Sequence, residues 1–288
     1  MTFSAPKINQ PPTALKRRNA ILRGSDRLVS AVIITFNEEA NLERTLSQLY
    51  WCDEIVVVDS YSTDNTLNIC RKHDCRIIQR TFAGYGDQKQ FAVRQAKNDW
   101  VMCIDADEYL SSALVGELLL ELKNLDSFAG FSFPMNLVFR GYEFKYGKES
   151  NRPFIRLFNR NKGRVTCDKL HERLMVQGPV KKLKNPILHF SYRDTHQYFL
   201  KFNTYTTYGA EQSFLKNKRR SKALIIFSIP LYFLKYYFIE RNFLNGINGF
   251  YWSTFSAGYH FIKYIKLHDL QQLPGKQMNG IPSLQPVN

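Results

Sequence analysis

Three acidic residues directly follow a short apolar segment near the middle of the 288-residue chain. Residues 100–104 (WVMCI) are uninterruptedly apolar, and Asp105, Asp107 and Glu108 come next. An apolar run of this length indicates a strand buried on both faces of a parallel sheet. Because alternate side chains of a strand share a face, Asp105 and Asp107 would project together from its carboxyl end.

A pair of adjacent carboxylates at such a strand end indicates a cation site. Two carboxylates repel each other unless a cation lies between them. A hard divalent cation that also binds a substrate diphosphate would suit their oxygen atoms. Open α/β sheets bind ligands at the carboxyl edge of their strands. The alternative interpretation is a solvated acidic turn without a ligand.

Strands and helices alternate along the first half of the chain. Apolar runs predict three strands before the acidic one, at residues 29–36, 54–60 and 76–80. Helices are predicted at residues 37–49, 64–72, 87–97 and 111–125, and Asn37 is predicted to cap the first of them. This order predicts a Rossmann-like, mostly parallel sheet. Alternating residues predict an antiparallel extension at 130–139 and 154–159.

The polar ends of three predicted strands would meet at one edge of this sheet. The first strand finishes with residues 35–38 (TFNE), the second with Asp59, and the fourth with Asp105 and Asp107. Neither a GxGxxG sequence nor a Walker GxxxxGK[ST] sequence follows the first strand. A nucleotide at this edge would therefore need a metal ion to neutralise its phosphates.

Charge is distributed unevenly in a chain whose net charge is +15. Residues 140–266 carry 24 Lys and Arg residues against 7 Asp and Glu residues, which indicates an anionic partner such as nucleic acid, an anionic membrane or a phosphorylated substrate. Nucleic acid is disfavoured because no zinc-finger, RRM or helix-turn-helix signature occurs. The five cysteines form no CxxC pair, which indicates reduced thiols in the cytosol and no metal framework.

The C-terminal third is helical in pattern and rich in aromatic residues. A basic cluster formed by Lys218, Arg219, Arg220 and Lys222 precedes an apolar segment at 223–239, which Lys235 and Pro230 interrupt. The segment is short for a transmembrane helix. We predict an interfacial or re-entrant helix pair at an anionic leaflet, and the alternative is a buried helical subdomain.

Three segments of the chain resemble family 2 inverting glycosyltransferases with the GT-A fold. They are residues 29–46 (VSAVIITFNEEANLERTL), 54–66 (EIVVVDSYSTDNT) and 100–108 (WVMCIDADE). Residues 156–160 (RLFNR), 170–174 (LHERL) and 187–189 (ILH) are similar to a narrower group, the WaaE/LgtF-type lipopolysaccharide core β-glucosyltransferases. One departure is that the usual double acid of the second strand is Asp59-Ser60, so Asp59 alone carries that role.

The resemblance implies a UDP-sugar donor and a role for each matching residue. The uridine pocket would be lined by Thr35, Phe36 and Glu38. Asp59 would bind uracil or ribose, Asp105 would meet ribose or the metal, and Asp107 would coordinate Mg²⁺ or Mn²⁺. The metal would neutralise charge on the departing UDP.

Basic residues outside these motifs could meet the diphosphate or the acceptor. Lys89 lies at the start of the helix that precedes the fourth strand and is predicted to reach the diphosphate, and a solvated helix face is the alternative. Arg156 and Arg160 alternate in strand fashion, so they would face either an anionic acceptor or the solvent.

Inversion requires a base that deprotonates the acceptor hydroxyl on the face opposite the departing UDP. Glu172 is the candidate, with Glu149 and Asp168 as nearby rivals, and the alternative is that Glu172 is a surface glutamate paired with Arg164 or Arg173. His171 could bind a phosphate or the metal, or could be structural. For His189 we expect a buried hydrogen-bonding role.

The resemblance therefore implies a metal-dependent hexosyltransferase, and we expect it on the cytoplasmic face of the inner membrane. It would transfer a sugar, with glucose as the first candidate, from a UDP-sugar to the inner core of lipopolysaccharide or lipooligosaccharide. The alternatives are another UDP-sugar with another lipid-linked or cell-surface glycan, and an inactive membrane-attached scaffold. The predicted regions are a loose basic tail without a signal peptide (1–28), a catalytic domain (29–194), a helical acceptor and membrane region (195–270) and a polar tail (271–288).

Overall fold

The computed structural model of the protein describes residues 27–166, 173–192 and 194–272. The chain forms two compact units. The first comprises the chain up to Met135 together with Arg152–Phe190, and the second comprises Asn136–Asn151 and the chain from Ser191 onward. The second unit thus takes in a stretch of the predicted catalytic domain, and the domain boundaries given above stay predictions.

Parallel strands form the first half of the sheet in the first unit. They are β1 (Val29–Thr35), β2 (Glu54–Asp59), β3 (Arg76–Gln79) and β4 (Trp100–Asp105), in the order β3-β2-β1-β4. Helices α1 (Leu42–Leu46), α2 (Thr66–Lys72) and α3 (Tyr85–Gln95) connect them. Most apolar side chains of β1, β2 and β4 are buried, with Ile34 and Ile55 partly buried, as expected when helices cover both faces of a parallel sheet.

Antiparallel strands extend the sheet beyond β4. The chain forms β5 (Glu108–Leu110), helix α4 (Ser112–Glu121) with a 3-10 turn (Leu122–Ser127), β6 (Gly130–Phe139), β7 (Tyr142–Glu143) and β8 (Arg152–Asn159). Short strands β9 (Gly163–Val165), β10 (Leu174–Val176) and β11 (Val180–Lys182) lead to β12 (Ile187–Tyr192). The sheet continues in the order β4-β8-β6-β12-β5. The predicted mixed α/β sheet with an antiparallel extension is therefore confirmed.

The first predicted helix begins later than the sequence indicated. Asn37 has a backbone φ of 50°, and its Oδ1 atom accepts a hydrogen bond from the Thr63 backbone N–H at 2.7 Å. Asparagine tolerates this left-handed conformation because its short side chain can bond locally. The prediction that Asn37 caps a helix is therefore wrong: the helix starts at Leu42, and Asn37 ties the loop after β1 to the loop after β2.

Three helices dominate the second unit. They are α5 (Thr195–Leu215), α6 (Lys222–Leu234), which a π-helical turn (Lys235–Ile239) prolongs, and α7 (Gly246–Gln272), which follows a 3-10 turn (Asn242–Asn245). Asp194 and Ser221 cap α5 and α6 through their side-chain oxygens. Edge-to-face contacts among aromatic rings, including Phe139, Tyr198 and Trp252, form this unit's core.

The segment Lys222–Ile239 is 18 residues long, and its length and composition are compatible with crossing a membrane. Only 6% of it is buried. Within the described residues this segment is therefore not a buried helix, and its contact with a membrane stays a prediction.

Candidate functional site

The carboxyl ends of β1, β2 and β4 lie side by side in the first unit. In the strand registers, Thr35 is the partner of Asp59, and Ile34 is the partner of Asp105. The prediction that these polar strand ends meet at one edge of the sheet is confirmed. The acidic residues lie at this edge, because β4 ends at Asp105 and the chain continues directly to Asp107 and Glu108.

Asp105 lies between two cations. The Lys89 Nζ atom is 2.8 Å from Oδ1 of Asp105, and the Arg156 Nη2 atom is 3.3 Å from Oδ2. The side chains of Lys89 and Arg156 are only 8% and 13% exposed. Burial alone would raise the pKa of Asp105, but the two cations outweigh it and hold the pKa of this carboxyl below its usual value.

Glu108 anchors Arg156 from the opposite side. Its buried carboxylate accepts a hydrogen bond from Arg156 Nε at 2.9 Å and also contacts Nη2. It accepts a third from the Asp105 backbone N–H at 3.1 Å. Burial raises the pKa of Glu108, and Arg156 opposes the shift. The bidentate contact fixes the plane of the guanidinium, so Arg156 is held facing Asp105.

Asp107 contacts a histidine from a distant strand. The His189 Nε2 atom lies 3.2 Å from Asp107 Oδ2, with side-chain exposures of 31% and 15%. The antiparallel pairing of β5 with β12 places His189 opposite Glu108. Burial lowers the pKa of His189, but Asp107, Glu108 and Asp105 outweigh it and raise this pKa to about 9. The Asp107 carboxylate therefore favours the protonated imidazole, and a cation that used His189 as a ligand would have to displace this proton.

A hydroxyl group from α1 fixes the turn between these acids. Thr45 Oγ1 lies 2.8 Å from the carbonyl oxygen of Ala106 and 2.9 Å from that of Glu108. Thr45 is 1% exposed. A buried hydroxyl that bonds main-chain oxygens on both sides of Asp107 restrains the carboxylate's backbone, so the site is built on a rigid support.

Asp59 is enclosed by its own loop. Its side chain is 0% exposed and accepts hydrogen bonds from the Ser62 backbone N–H at 3.0 Å and from Gln79 Nε2 at 3.1 Å. The Ser62 hydroxyl also donates to it. Three donors from the protein fix Asp59 at the end of β2, and they shape the loop that faces the end of β1.

The segment after β1 carries the other predicted nucleotide residues. Glu38 accepts a hydrogen bond from Asn41 Nδ2 at 2.8 Å, and its backbone N–H donates to Thr66 Oγ1 at 2.8 Å. Phe36 is half-buried. Thr35 is 5% exposed, and its hydroxyl has no hydrogen-bond partner within the described part of the chain. A buried hydroxyl without a partner is an available contact for a ligand.

A cleft of about 390 Å³ opens beside Asp105. Its lining includes the charged side chains of Lys89, Asp105, Arg156 and Arg173. Its apolar wall includes Phe154 and Leu174. Concave sites with an apolar wall and a few convergent polar groups are typical of small-molecule binding.

The sequence profile of Glycosyl transferase family 2 matches residues 30–183, more than half of the chain. The chain belongs to glycosyl transferase family 2. The matched range contains every element of the site described above except β12, which carries His189. The fold of this family 2 glycosyltransferase is the predicted GT-A type, a mostly parallel sheet with an antiparallel extension, followed by a helical segment.

Two relatives align with this glycosyltransferase over most of its length. The lipopolysaccharide core biosynthesis glycosyltransferase LpsC of Rhizobium meliloti is 34% identical over 256 residues, which cover 86% of this chain and 94% of LpsC. An uncharacterized glycosyltransferase of Rickettsia typhi is 29% identical over 272 residues, which cover 90% of this chain and 92% of that protein.

Two solved structures are similar to the family 2 glycosyltransferase in fold. Staphylococcus aureus TarS 1–349 is 16% identical, with a TM-score of 0.42 and coverage of 89% of this chain and 95% of that chain. Glucosyl-3-phosphoglycerate synthase of Mycobacterium tuberculosis, in complex with Mn²⁺, UDP and glucosyl-3-phosphoglycerate, is 22% identical. Its TM-score is 0.33, and the similarity covers 48% of this chain and 51% of that chain.

Several predicted site residues of the glycosyltransferase lie apart from this cluster or outside the described residues. Glu172, His171 and Asp168 fall in the range 167–172, which is not described. Arg160 donates a hydrogen bond to the Ala96 carbonyl oxygen and lies 3.7 Å from Asp99. The basic cluster of Lys218, Arg219 and Arg220 is exposed between α5 and α6 in the second unit.

Three contacts around the acids are not evident from local sequence pattern. The solvent-facing alternative for Arg156 is wrong, because Glu108 and Asp105 hold its guanidinium in the interior of the first unit. The solvated-face alternative for Lys89 is wrong for the same reason. For His189 the expected hydrogen bond is confirmed, and its partner is the carboxylate of Asp107. The ILH segment, with a polar residue ending an apolar run, is the only local signal for it.

Proposed function

We propose that this family 2 glycosyltransferase transfers a sugar, with glucose as the first candidate, from a UDP-sugar to the inner core of lipopolysaccharide or lipooligosaccharide, with inversion at the anomeric carbon. The observation that carries the proposal is the meeting of Asp105, Asp107, Lys89 and Arg156 at one edge of the sheet. The 34% identity with LpsC, a lipopolysaccharide core biosynthesis glycosyltransferase, supports the acceptor class.

The donor nucleotide binds along the ends of β1 and β2. The unpartnered hydroxyl of buried Thr35 and the half-buried ring of Phe36 offer one polar and one apolar contact to uridine. Glu38 and Asp59 complete the pocket. Because three protein donors already hold the Asp59 carboxylate, its contact with uracil or ribose would use its remaining acceptor capacity.

The diphosphate requires positive charge, and the site can supply it from two sources. Lys89 and Arg156 are near-buried cations already held within 3.3 Å of Asp105. The second source is Mg²⁺ or Mn²⁺. Among the residues that the structure describes, no three His, Cys, Asp or Glu side chains form a metal-binding group. A hard cation that takes most of its ligands from a diphosphate and water needs only one or two carboxylates, so the donor set fits.

Asp107 is the better placed of the two acids to hold that cation. Asp105 is neutralised by Lys89 and Arg156, whereas Asp107 contacts His189, whose neutral form could also be a ligand. When bound, the metal neutralises negative charge on the leaving UDP. Asp105 then contributes by positioning the two cations, or by meeting the ribose.

The acceptor hydroxyl loses its proton to Glu172, which is proposed as the general base. Val165, shortly before the undescribed range 167–172, and Arg173 and Leu174, directly after it, line the cleft beside Asp105. His171 is proposed to bind a phosphate or the metal. Arg156 carries positive charge on the β8 side of the cleft, which suits an anionic glycolipid, and the protein acts peripherally on the cytoplasmic face of the inner membrane.

The decisive experiment is a donor panel. The purified protein is incubated with UDP-glucose, UDP-galactose and UDP-N-acetylglucosamine in the presence of Mn²⁺, and donor hydrolysis is measured without an acceptor. Transfer to core-truncated lipopolysaccharide is measured next. Turnover with UDP-glucose and this acceptor is expected. Turnover with another UDP-sugar would replace the donor assignment, and absence of both hydrolysis and transfer would contradict the proposal.

A further inference from the structure

One face of the α6 segment is apolar and exposed. Along α6 and its π-helical extension, the most exposed apolar residues recur at helical spacing and form an outer stripe: Ile226, Phe227, Leu231, Leu234, Phe238 and Ile239. Their exposures run from 50% to 76%. A contiguous apolar surface of this kind marks a contact with another molecule or a membrane.

The opposite face of α6 is the polar one. Tyr232 OH lies 2.7 Å from Tyr264 OH, and Tyr236 OH lies 2.8 Å from Nε2 of His260, so hydroxyl and imidazole groups line the seam between α6 and α7. The His260 ring stacks on Tyr232 with centroids 3.6 Å apart. Ser228, on the same face, is 0% exposed.

This distribution is the reverse of that in a water-soluble helix pair. An amphipathic helix in water buries its apolar stripe and exposes polar residues. Here the hydroxyl groups of Tyr232, Tyr236 and Tyr264 and the Nε2 atom of His260 bond to one another inside the seam, and the apolar stripe faces outward. The Nδ1 atom of His260 has no hydrogen-bond partner within the described residues. In a hydrocarbon environment, a seam of internally bonded polar groups and an outward apolar stripe are both favourable. Polar groups there must be satisfied internally, and apolar side chains need no shielding from lipid.

The turn between α6 and α7 is rigid. Asn242 and Asn245 are 0% and 2% exposed, and Asn245 binds the main chain of Tyr146 and Lys145. Asn242 donates to the Tyr236 carbonyl oxygen at 3.0 Å. Beside this network, Phe243, Leu244 and Ile247 are exposed by 43% to 60%. Buried asparagines thus fix apolar side chains in outward positions.

Basic residues flank both ends of the outer stripe. Lys218, Arg219, Arg220 and Lys222 precede α6, and Lys235 and Arg241 lie near its other end. Eighteen helical residues span about 27 Å. This length is short for the hydrocarbon core of a bilayer, which is about 30 Å thick, whereas a helix parallel to the surface keeps both basic ends among the headgroups of one leaflet.

We propose that the α6–α7 helix pair lies in the plane of an anionic membrane surface, with the outer stripe in the acyl region and the flanking cations among the lipid headgroups. This proposal deepens the proposed function, since it rests on a membrane-bound acceptor, but it requires no knowledge of the donor sugar. The partner is the lipid bilayer itself.

The first experiment measures binding of the full chain to vesicles of phosphatidylglycerol and phosphatidylcholine by sedimentation, without any sugar present. Ile226→Glu combined with Leu231→Glu is expected to weaken binding by about tenfold or more, because charged side chains are unfavourable in the acyl region. Leu120→Glu is the matched control, because Leu120 is 66% exposed against 67% for Ile226 but belongs to the first unit. This control is expected to bind as the parent protein does.

The second experiment measures orientation. Phe227→Trp and Phe238→Trp are prepared separately, and quenching by lipids brominated at different depths is measured above the signal of the buried Trp51, Trp100 and Trp252. An in-plane helix gives the two new tryptophans equal depths. Deeper quenching at position 238 than at position 227 would overturn the in-plane geometry.

Two further outcomes separate this proposal from its alternatives. If the double variant binds vesicles normally, or if it converts a dimer into a monomer without vesicles, the outer stripe is not a lipid-binding face. Donor hydrolysis in vesicle-free buffer should be equal in the parent and the double variant. An inactive parent protein that still binds vesicles through this stripe would contradict the proposed function while leaving the membrane proposal intact.

Discussion

Asp107 and His189 are 82 positions apart in the chain, yet His189 Nε2 lies 3.2 Å from Asp107 Oδ2. The antiparallel pairing of β5 with β12 produces this contact, because it sets His189 opposite Glu108. The strand that returns along β5 therefore brings an imidazole to the acid that follows β4. Under the proposed function, the neutral form of this imidazole would be a second ligand for a cation held by Asp107.

His189→Ala should weaken metal binding more than it weakens nucleotide binding. Loss of an imidazole beside Asp107 is expected to raise the Mn²⁺ concentration needed for half-saturation by about tenfold to a hundredfold, the usual effect of removing a group that supports a metal site. Free Mn²⁺ is measured by electron paramagnetic resonance in the presence of UDP. His73→Ala is the matched control, since His73 also contacts a carboxylate, that of Glu43, at 2.8 Å.

Asp107→Ala should nearly abolish transfer. Removal of the proposed direct ligand is expected to lower turnover by about a thousandfold or more, because the charge on the leaving UDP loses several kcal/mol of stabilisation. Exhaustive treatment with EDTA should have the same effect on the parent protein, and added Mn²⁺ should restore the activity. Asp126→Ala, which removes an exposed acid paired with Arg27, serves as the control.

Asp105→Ala should reduce turnover less than Asp107→Ala does, because Asp105 is already paired with Lys89 and Arg156. Full activity of the Asp107 variant after chelation would identify a metal-independent transferase. Equal losses for both variants would indicate that both acids bind the cation directly.

Glu108→Gln should destabilise the fold, because it removes the charge opposite a buried guanidinium. Breaking a buried ion pair typically costs about 3–5 kcal/mol, and the remaining contact of Arg156 with Asp105 should reduce that cost toward the lower end. Urea unfolding measures the change. Asp126→Asn breaks the exposed Arg27 pair, whose side chains are 60% and 73% exposed, and is expected to change stability by less than about 1 kcal/mol. Similar effects for the two variants would contradict a structural role for Glu108.

The local sequence pattern was sufficient for the parallel half of the sheet but not for the contacts that cross it. Continuous apolar runs indicate buried strands wherever they occur, so the positions of Thr35, Asp59 and Asp105 at strand ends followed from pattern alone. The pairing of β5 with β12 could not be predicted in the same way, because three-residue strands carry too little periodicity to specify a partner. The sequence therefore predicts a hydrogen bond for His189 but does not identify its partner.

The sequence predicts the strand face on which a side chain lies, but it does not predict the residue that the side chain contacts. Strand alternation placed Arg156 on one face of β8, yet nothing local distinguishes an arginine that meets solvent from one that meets Glu108. The same limit applies to Asn37, whose residue type suits both a helix cap and a left-handed loop position. A tertiary hydrogen bond with Thr63 decided between them.

His260 should make the second unit less stable as the pH falls. Burial between Tyr232 and Tyr236 lowers the pKa of His260 to about 4, against about 6.5 in an unfolded chain. Between these values the unfolded state binds a proton that the folded state does not, so stability decreases from about pH 6.5 to about pH 4. Urea midpoints measured across this range should vary less with pH in His260→Phe than in the parent protein. His196→Gln, at an exposed histidine of α5, should retain the parent's pH dependence.

Glu172→Gln should separate the general base from a binding residue. The proposed displacement brings the acceptor to the face of the anomeric carbon opposite UDP, so the base must come from a segment downstream of Asp107. Glutamine keeps the size of the side chain but cannot accept the proton. We expect UDP-sugar affinity to stay nearly unchanged while turnover falls by about 10²–10⁴-fold, the usual contribution of general base catalysis. A proportional fall in donor affinity would make Glu172 a binding residue. If neither donor affinity nor turnover falls, Asp168 becomes the candidate general base, and Glu149 is the residue to substitute after it.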